Sequence, residues 1–246
     1  MKTPDLDIVI PAYFEGENIL EVLYSLQNFV KCFFRVIICY DLDEDDTIST
    51  VRNHPPFGFK ILFIKNRRVG LHGAVITGFE ESEAESVMMM PADDCWNARL
   101  IDNMVERIQS GADIVCPSRF MKGGGVQGYP KLKYLIVRTA AFLLYKLAFI
   151  PTHDPTNGFR CFSRKVINSI PIESSVGGTY SLELLVKCHR LKWRVEEIPS
   201  IWIERKSGKS KFSIWKWIPY YLKWFLYGFA TTYLRRKNVS LKRKSK

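Results

Sequence analysis

Between Arg205 and Lys246 the sequence has no aspartate or glutamate, although thirteen lysines and arginines fall there. The preceding residues carry 23 basic against 25 acidic groups, so the whole net charge of +11 belongs to the C-terminal sixth of the chain. An uncompensated basic block points to an anionic partner, either lipid headgroups or nucleic acid. Here it is interleaved with Trp and Tyr and carries no nucleic-acid-binding motif, which favours a membrane surface over nucleic acid. The six cysteines (Cys32, Cys39, Cys95, Cys116, Cys161, Cys188) form no CxxC pair and no framework spacing, and several sit in apolar runs. That pattern excludes a disulfide scaffold and reads as buried thiols in a reducing compartment. His54, His72, His153 and His189 lack zinc-ligand spacing. The opening MKTPDLDIVIP has no charged region followed by an apolar run, so no secretory signal is expected. Internal repeats and low-complexity linkers are also lacking.

What is present is a chain of 246 residues, 47% hydrophobic, with a mean hydropathy of -0.07. This suits one α/β domain with appendages. Short apolar runs alternate with helical patterns in the first half, as in a parallel sheet with crossover helices. Strands are expected at Asp7–Ile10, Arg35–Cys39, Lys60–Ile64, Ser86–Met90 and Asp113–Cys116. Helices are expected near Glu17–Phe29, Leu71–Glu81 and Arg99–Ser110. After Pro117 come a Gly-rich loop (Lys122–Gly125), a long apolar and basic helix (Lys131–Phe149) and a loop at His153–Arg160. A helix near Tyr180–Arg190, a strand pair around Trp193–Glu204 and an aromatic helix over Ile214–Leu234 complete the pattern.

The unusual polar groups follow the strands' carboxyl ends, the edge where open α/β sheets bind ligands. PAYFEGEN closes the first strand, with Pro11 expected to stop its ladder and Glu15 just ahead of a helix. YDLDEDDT follows the second and crowds Asp41, Asp43, Glu44, Asp45 and Asp46. One of these carboxylates can accept from a base or ribose hydroxyl; a solvated turn with an Asp helix cap accounts for Asp43, Glu44 and Asp46. VMMMPADD places Asp93 and Asp94 beyond a buried strand, where hard oxygen ligands suit Mg²⁺ or Mn²⁺ on a diphosphate. Arg119, Arg138, Asp154, Arg160, Arg205, Lys206, Lys209 and Lys211 supply charge in later loops, with arginine forks matched to phosphate oxygens.

In order, IVIPAYFEGENI, the acidic loop, NRRVGLHGAVITGF, MPADD, PSRFMKGGGVQGYP, HDPTNGFRCF, YSLELLVKCHRLKWRVEEIP and ERKSGKSKF resemble glycosyltransferase family 2. More narrowly, from Leu6 to Phe212 they are similar to its dolichol-phosphate mannose synthase branch. The resemblance implies a GT-A fold over residues 1–212, divided into a nucleotide-binding half (1–117) and an acceptor-binding half (118–212). An amphipathic interface helix (213–234) and a basic tail (235–246) would follow. It implies inverting sugar transfer to a polyprenyl phosphate and a divalent metal, Mg²⁺ or Mn²⁺. Pro11, Tyr13 and Glu15 would flank base and ribose, with Asp41 on the base. Asp93 falls on the family's metal-binding Asp, with Asp94 as a second ligand. Arg119, Arg138, Arg205 and Lys211 fall on phosphate positions, and Asp154 lies in the acceptor loop, so Asp93, Arg119 and Asp154 are the catalytic candidates. Four positions depart from the family pattern: Pro91 for the first Asp of DxD, Cys95 for Gln, Tyr40 for Asp and Phe14 for Asn.

A lipid phosphate has its second pKa near ~6 and is already nucleophilic at neutral pH, so no strong general base is required. Residues 217–234 are only 18 long and are interrupted by Pro219 and Lys223, which favours a helix lying in the interface over one that spans. The expectation is therefore a GDP-mannose-dependent enzyme at the cytoplasmic face of a membrane. UDP-hexose or UDP-amino-sugar transfer to undecaprenyl phosphate is the alternative, and a catalytically silent membrane-docking module is the reading from another class.

Overall fold

A computed structural model describes residues 3–203 and 214–234. Unbroken apolar runs suit strands covered on both faces. They form β1 (Leu6–Ala12), β2 (Phe34–Tyr40), β3 (Lys60–Lys65), β4 (Ser86–Met89) and β5 (Ile114–Ser118). The intervening helices are α1 (Gly16–Phe29), α2 (Asp46–Asn53), α3 (Gly70–Glu81) and α4 (Ile101–Gln109). In α4, Ile101, Met104, Val105 and Ile108 make the buried stripe that helical periodicity requires.

The second half contributes β6 (Gly125–Gln127), α5 (Lys131–Lys146), β7 (Arg160–Ser163), α6 (Arg164–Ser169), α7 (Thr179–Arg190), β8 (Val195–Pro199), β9 (Ile201–Ile203) and α8 (Ile214–Tyr233). The main sheet has the order β3-β2-β1-β4-β7-β5-β8, parallel except for β7, which runs antiparallel between β4 and β5. Residue 117 lies inside β5, and β7 and β8 complete the sheet begun by the first half.

Two apolar layers flank this sheet. Ile8 and Ile10 of β1 face α1 and α4 on one side, while Val9 joins α3 and α7 on the other. Asp7 is fully buried in the same strand because Arg35 grips it through Nε and Nη2, at 2.6 and 3.1 Å. Its Oδ2 also accepts from the amides of Glu83 and Ala84.

Three expectations need correction. Pro11 stops the ladder on one side only: pairing with β4 ends at Val9, but pairing with β2 continues through Ala12. The strands near Trp193–Glu204 do not pair with each other, since β8 adds to β5 and β9 pairs with β6. The segment expected as a loop up to Arg160 runs directly into β7, a strand inserted in the central sheet.

Candidate active site

The acidic loop after β2 holds the loop after β1. Asp45 caps α2 by accepting from the Thr47 amide (2.9 Å), and its other oxygen accepts from the Phe14 amide (3.0 Å). Thr47 Oγ1 and Asp46 Oδ1 receive the amides of Glu15 and Gly16. Phe14 has φ 54, a left-handed conformation that Asn adopts more readily than Phe. Asp41 accepts from Asn66 Nδ2 at 2.6 Å and from the Gly70 amide at 2.9 Å. Each oxygen keeps accepting capacity.

These loops open onto a cavity of about 850 Å³. Pro11, Tyr13, Glu15, Asp41, Asp93 and Arg119 all line it, so six candidates from four segments, at the ends of β1, β2, β4 and β5, converge on one space. Lys133 and Tyr129, passed over in the sequence, line it too. Tyr129 closely follows the Gly-rich loop, whereas Lys133, on α5, carries no such signal. The Gly-rich loop must turn tightly: a Cβ on Gly124 would come within 2.4 Å of the Ser118 carbonyl oxygen.

Arg119 is the best-anchored cation. Its Nε donates to Asp154 Oδ2 at 2.6 Å and its Nη2 to Asp154 Oδ1 at 2.9 Å, while its amide donates to the same carboxylate at 3.1 Å. Burial opposes charge on both partners, yet each holds the other ionised: Arg119 stays above its ordinary value and Asp154 below its own. Asp154 is fully buried and is not part of the cavity wall. It therefore acts on the cavity through Arg119. Arg138 also lies off the wall; its Nη1 donates to the Phe120 carbonyl at 3.3 Å and its guanidinium stacks on the Phe120 ring. Arg205 and Lys211 lie outside the described residues.

Asp93 and Asp94 part company. Asp93 faces the cavity, whereas Asp94 is buried with Oδ1 accepting from the amides of Trp96 and Asn97 and both oxygens accepting from Asn97 Nδ2. Of the two, Asp93 lines the large cavity, while the Asp94 oxygens are engaged by the turn amides and by Asn97. Among the described residues no group of three or more His, Cys, Asp or Glu gathers as a metal cage. One wall carboxylate nevertheless fits a hard divalent ion that takes most of its remaining oxygens from a diphosphate and water.

One side of the wall is apolar and helical: Val137, Ala140 and Leu144 of α5, Leu182 of α7, and Ile218 and Phe225 of α8. α8 is seated by Trp217, whose ring packs so closely on Gly177 (φ 51) that a Cβ there would meet it at 2.6 Å. Outward, α5 exposes Leu132, Leu135 and Phe142, and α8 exposes Tyr220 and Leu226. Among the described residues no helix is long and apolar enough to cross a membrane.

A family model for glycosyl transferase family 2 matches residues 7–170. A dolichol-phosphate mannosyltransferase of Pyrococcus furiosus is 28% identical over 210 residues, 84% of this chain but only 58% of that protein. A polyprenol monophosphomannose synthase of Mycolicibacterium smegmatis is 27% identical over 213 residues, covering 84% of this chain and 80% of the relative. Among solved structures, a glucosyl-3-phosphoglycerate synthase from Mycobacterium tuberculosis in complex with Mn²⁺, UDP and glucosyl-3-phosphoglycerate superimposes with a TM-score of 0.67 at 15% identity. That alignment covers 97% of this chain and 83% of the other. At such identity the likeness bears on the fold, which is GT-A.

Proposed function

Because this chain belongs to glycosyl transferase family 2, we propose that it moves a hexose, from GDP-mannose as the leading donor, onto a polyprenyl phosphate at the cytoplasmic surface of a membrane. The observation that carries this reading is the single cavity walled by polar loops from the sheet edge and by apolar faces of α5, α7 and α8. A nucleoside diphosphate sugar suits the first, and the isoprenoid end of an acceptor suits the second. The names of the two relatives, both transferring mannose to lipid phosphates, support the same pairing.

In this account Pro11, Tyr13, Glu15 and Asp41 bracket the nucleoside. Asp93 holds the divalent ion, Mg²⁺ or Mn²⁺, which would neutralise charge building on the departing diphosphate. Arg119, kept rigid by Asp154, supplies an oriented guanidinium at the same charge, and Lys133 adds a mobile one. The acceptor phosphate is ionised at neutral pH, so the residues position it in line with the sugar carbon and exclude water, and inversion follows from one displacement. The outward apolar residues and neighbouring cations of α5 and α8 support docking on anionic lipid.

Titration calorimetry with GDP and UDP, each with and without Mn²⁺, tests the donor side. Tighter GDP binding with Mn²⁺ is expected. Preference for UDP moves the donor to the UDP-sugar class, and binding of neither overturns catalysis in favour of a silent docking module.

A further inference from the structure

Asp94 accepts hydrogen bonds from two turn amides, which is all that capping the short turn over Asn97–Leu100 demands. The Asn97 side chain does more. Its Nδ2 donates to both oxygens of Asp94 (3.0 and 2.8 Å) and to the Ile201 carbonyl (2.9 Å), while its Oδ1 accepts from the Ile201 amide (3.3 Å). A single buried amide thus imitates a strand neighbour for a residue 104 positions away. Ile201 opens β9, whose partner β6 continues the Gly-rich loop through the pairs Gly125–Ile201 and Val126–Trp202. Trp202 lines the cavity together with Asp93. In the sequence, Arg205 follows Ile203 by two residues.

We propose that Asn97 is a positioning residue that ties the Asp93 loop to β9, so that the metal-side carboxylate and Trp202 are held in one register on the cavity wall. This rests on the transferase reading above. Only an amide fits the role, because it presents a donor and an acceptor side by side. An aspartate would face both Asp94 and the Ile201 carbonyl with no proton to give, and alanine would leave Asp94 short of its side-chain donor.

Two variants test the proposal: Asn97→Ala, and the exchange Asp94→Asn/Asn97→Asp, which rebuilds the 94–97 pair but sets a carboxylate against the Ile201 carbonyl. Amide hydrogen exchange over 199–203 is expected to quicken in both. GDP affinity without metal is expected to match wild type, because Tyr13, Glu15 and Asp41 stand in the loops after β1 and β2, away from the tie. Mn²⁺-dependent GDP affinity and kcat are expected to fall by about 10- to 100-fold, the usual effect of losing a group that orients a metal ligand. The exchange variant is expected to lose kcat as Asn97→Ala does, because the carboxylate it sets at position 97 cannot donate to the Ile201 carbonyl. Wild-type kcat in Asn97→Ala or in the exchange variant would overturn the proposal. A wild-type enzyme inactive with every donor would instead sink the transferase reading, and the exchange protection at Ile201 would still decide whether the tie exists.

Discussion

Arg119 and Asp154 meet as a buried fork, Nε to Oδ2 at 2.6 Å and Nη2 to Oδ1 at 2.9 Å, with the carboxylate wholly out of solvent. Removing one partner strands the other charge, so Asp154→Ala is expected to lower stability by about 3–5 kcal/mol in denaturant unfolding. Arg119→Lys cannot reproduce the fork and is expected to cost about 100-fold in kcat, the order of losing one oriented donor to a developing anion. Since Asp154 is held below its ordinary 3.8, the pair's stabilisation is present above that value and is lost only as pH falls through the lower folded value. An acid limb of activity near neutrality would have to come from another group.

His72 provides such a group for stability. It is buried on α3, shares a 3.0 Å hydrogen bond with Ser174 Oγ, and burial holds it below its ordinary 6.5. Below 6.5 the unfolded chain takes up the proton first, so stability declines as pH drops from 6.5 to the depressed folded value and is flat above. Melting temperatures measured from pH 8 to pH 5 are expected to show this decline in wild type and a shallower one in His72→Gln.

The Gly177–Trp217 contact sets one wall of the cavity. Gly177→Ala combines a left-handed backbone with a 2.6 Å approach to the indole. It is expected to destabilise by at least about 1–2 kcal/mol and to raise KM for the polyprenyl phosphate more than KM for the sugar nucleotide. Equal changes in both would detach α8 from acceptor binding.

Leu135 on α5 and Leu226 on α8 are more than half exposed, at 61% and 56%. The double variant Leu135→Glu/Leu226→Glu is expected to fold normally yet lose co-flotation with anionic liposomes. Unchanged flotation would assign membrane contact to other residues.

Much of this arrangement was legible in the sequence because parallel strands are buried on both faces and announce themselves as apolar runs. The observed β1 to β4 begin or end within one or two residues of those runs. β7 was not legible: RCF is short, follows a polar loop, and is drawn into the sheet only by β4 and β5 on either side. In the site, Glu15, Asp41, Asp93 and Arg119 stand out in loops after strands, while Pro11 and Tyr13 were picked out by the family resemblance. Lys133 could not, because on a basic helix it looks like any solvated cation. Arg138, five residues beyond it, falls on a phosphate position by the family resemblance, yet its guanidinium lies on Phe120. Asp94 looked equivalent to Asp93 until Asn97, three residues on, showed where its oxygens go.

The most direct test of the central claim is transfer of label from GDP-mannose, UDP-glucose and other sugar nucleotides to a short polyprenyl phosphate with Mn²⁺, scored as organic-extractable product in wild type and Asp93→Ala. Lipid-linked label from GDP-mannose is expected in wild type and almost none in the variant. No lipid-linked label from any donor, or a variant that retains most of the wild-type rate with metal present, would contradict that claim.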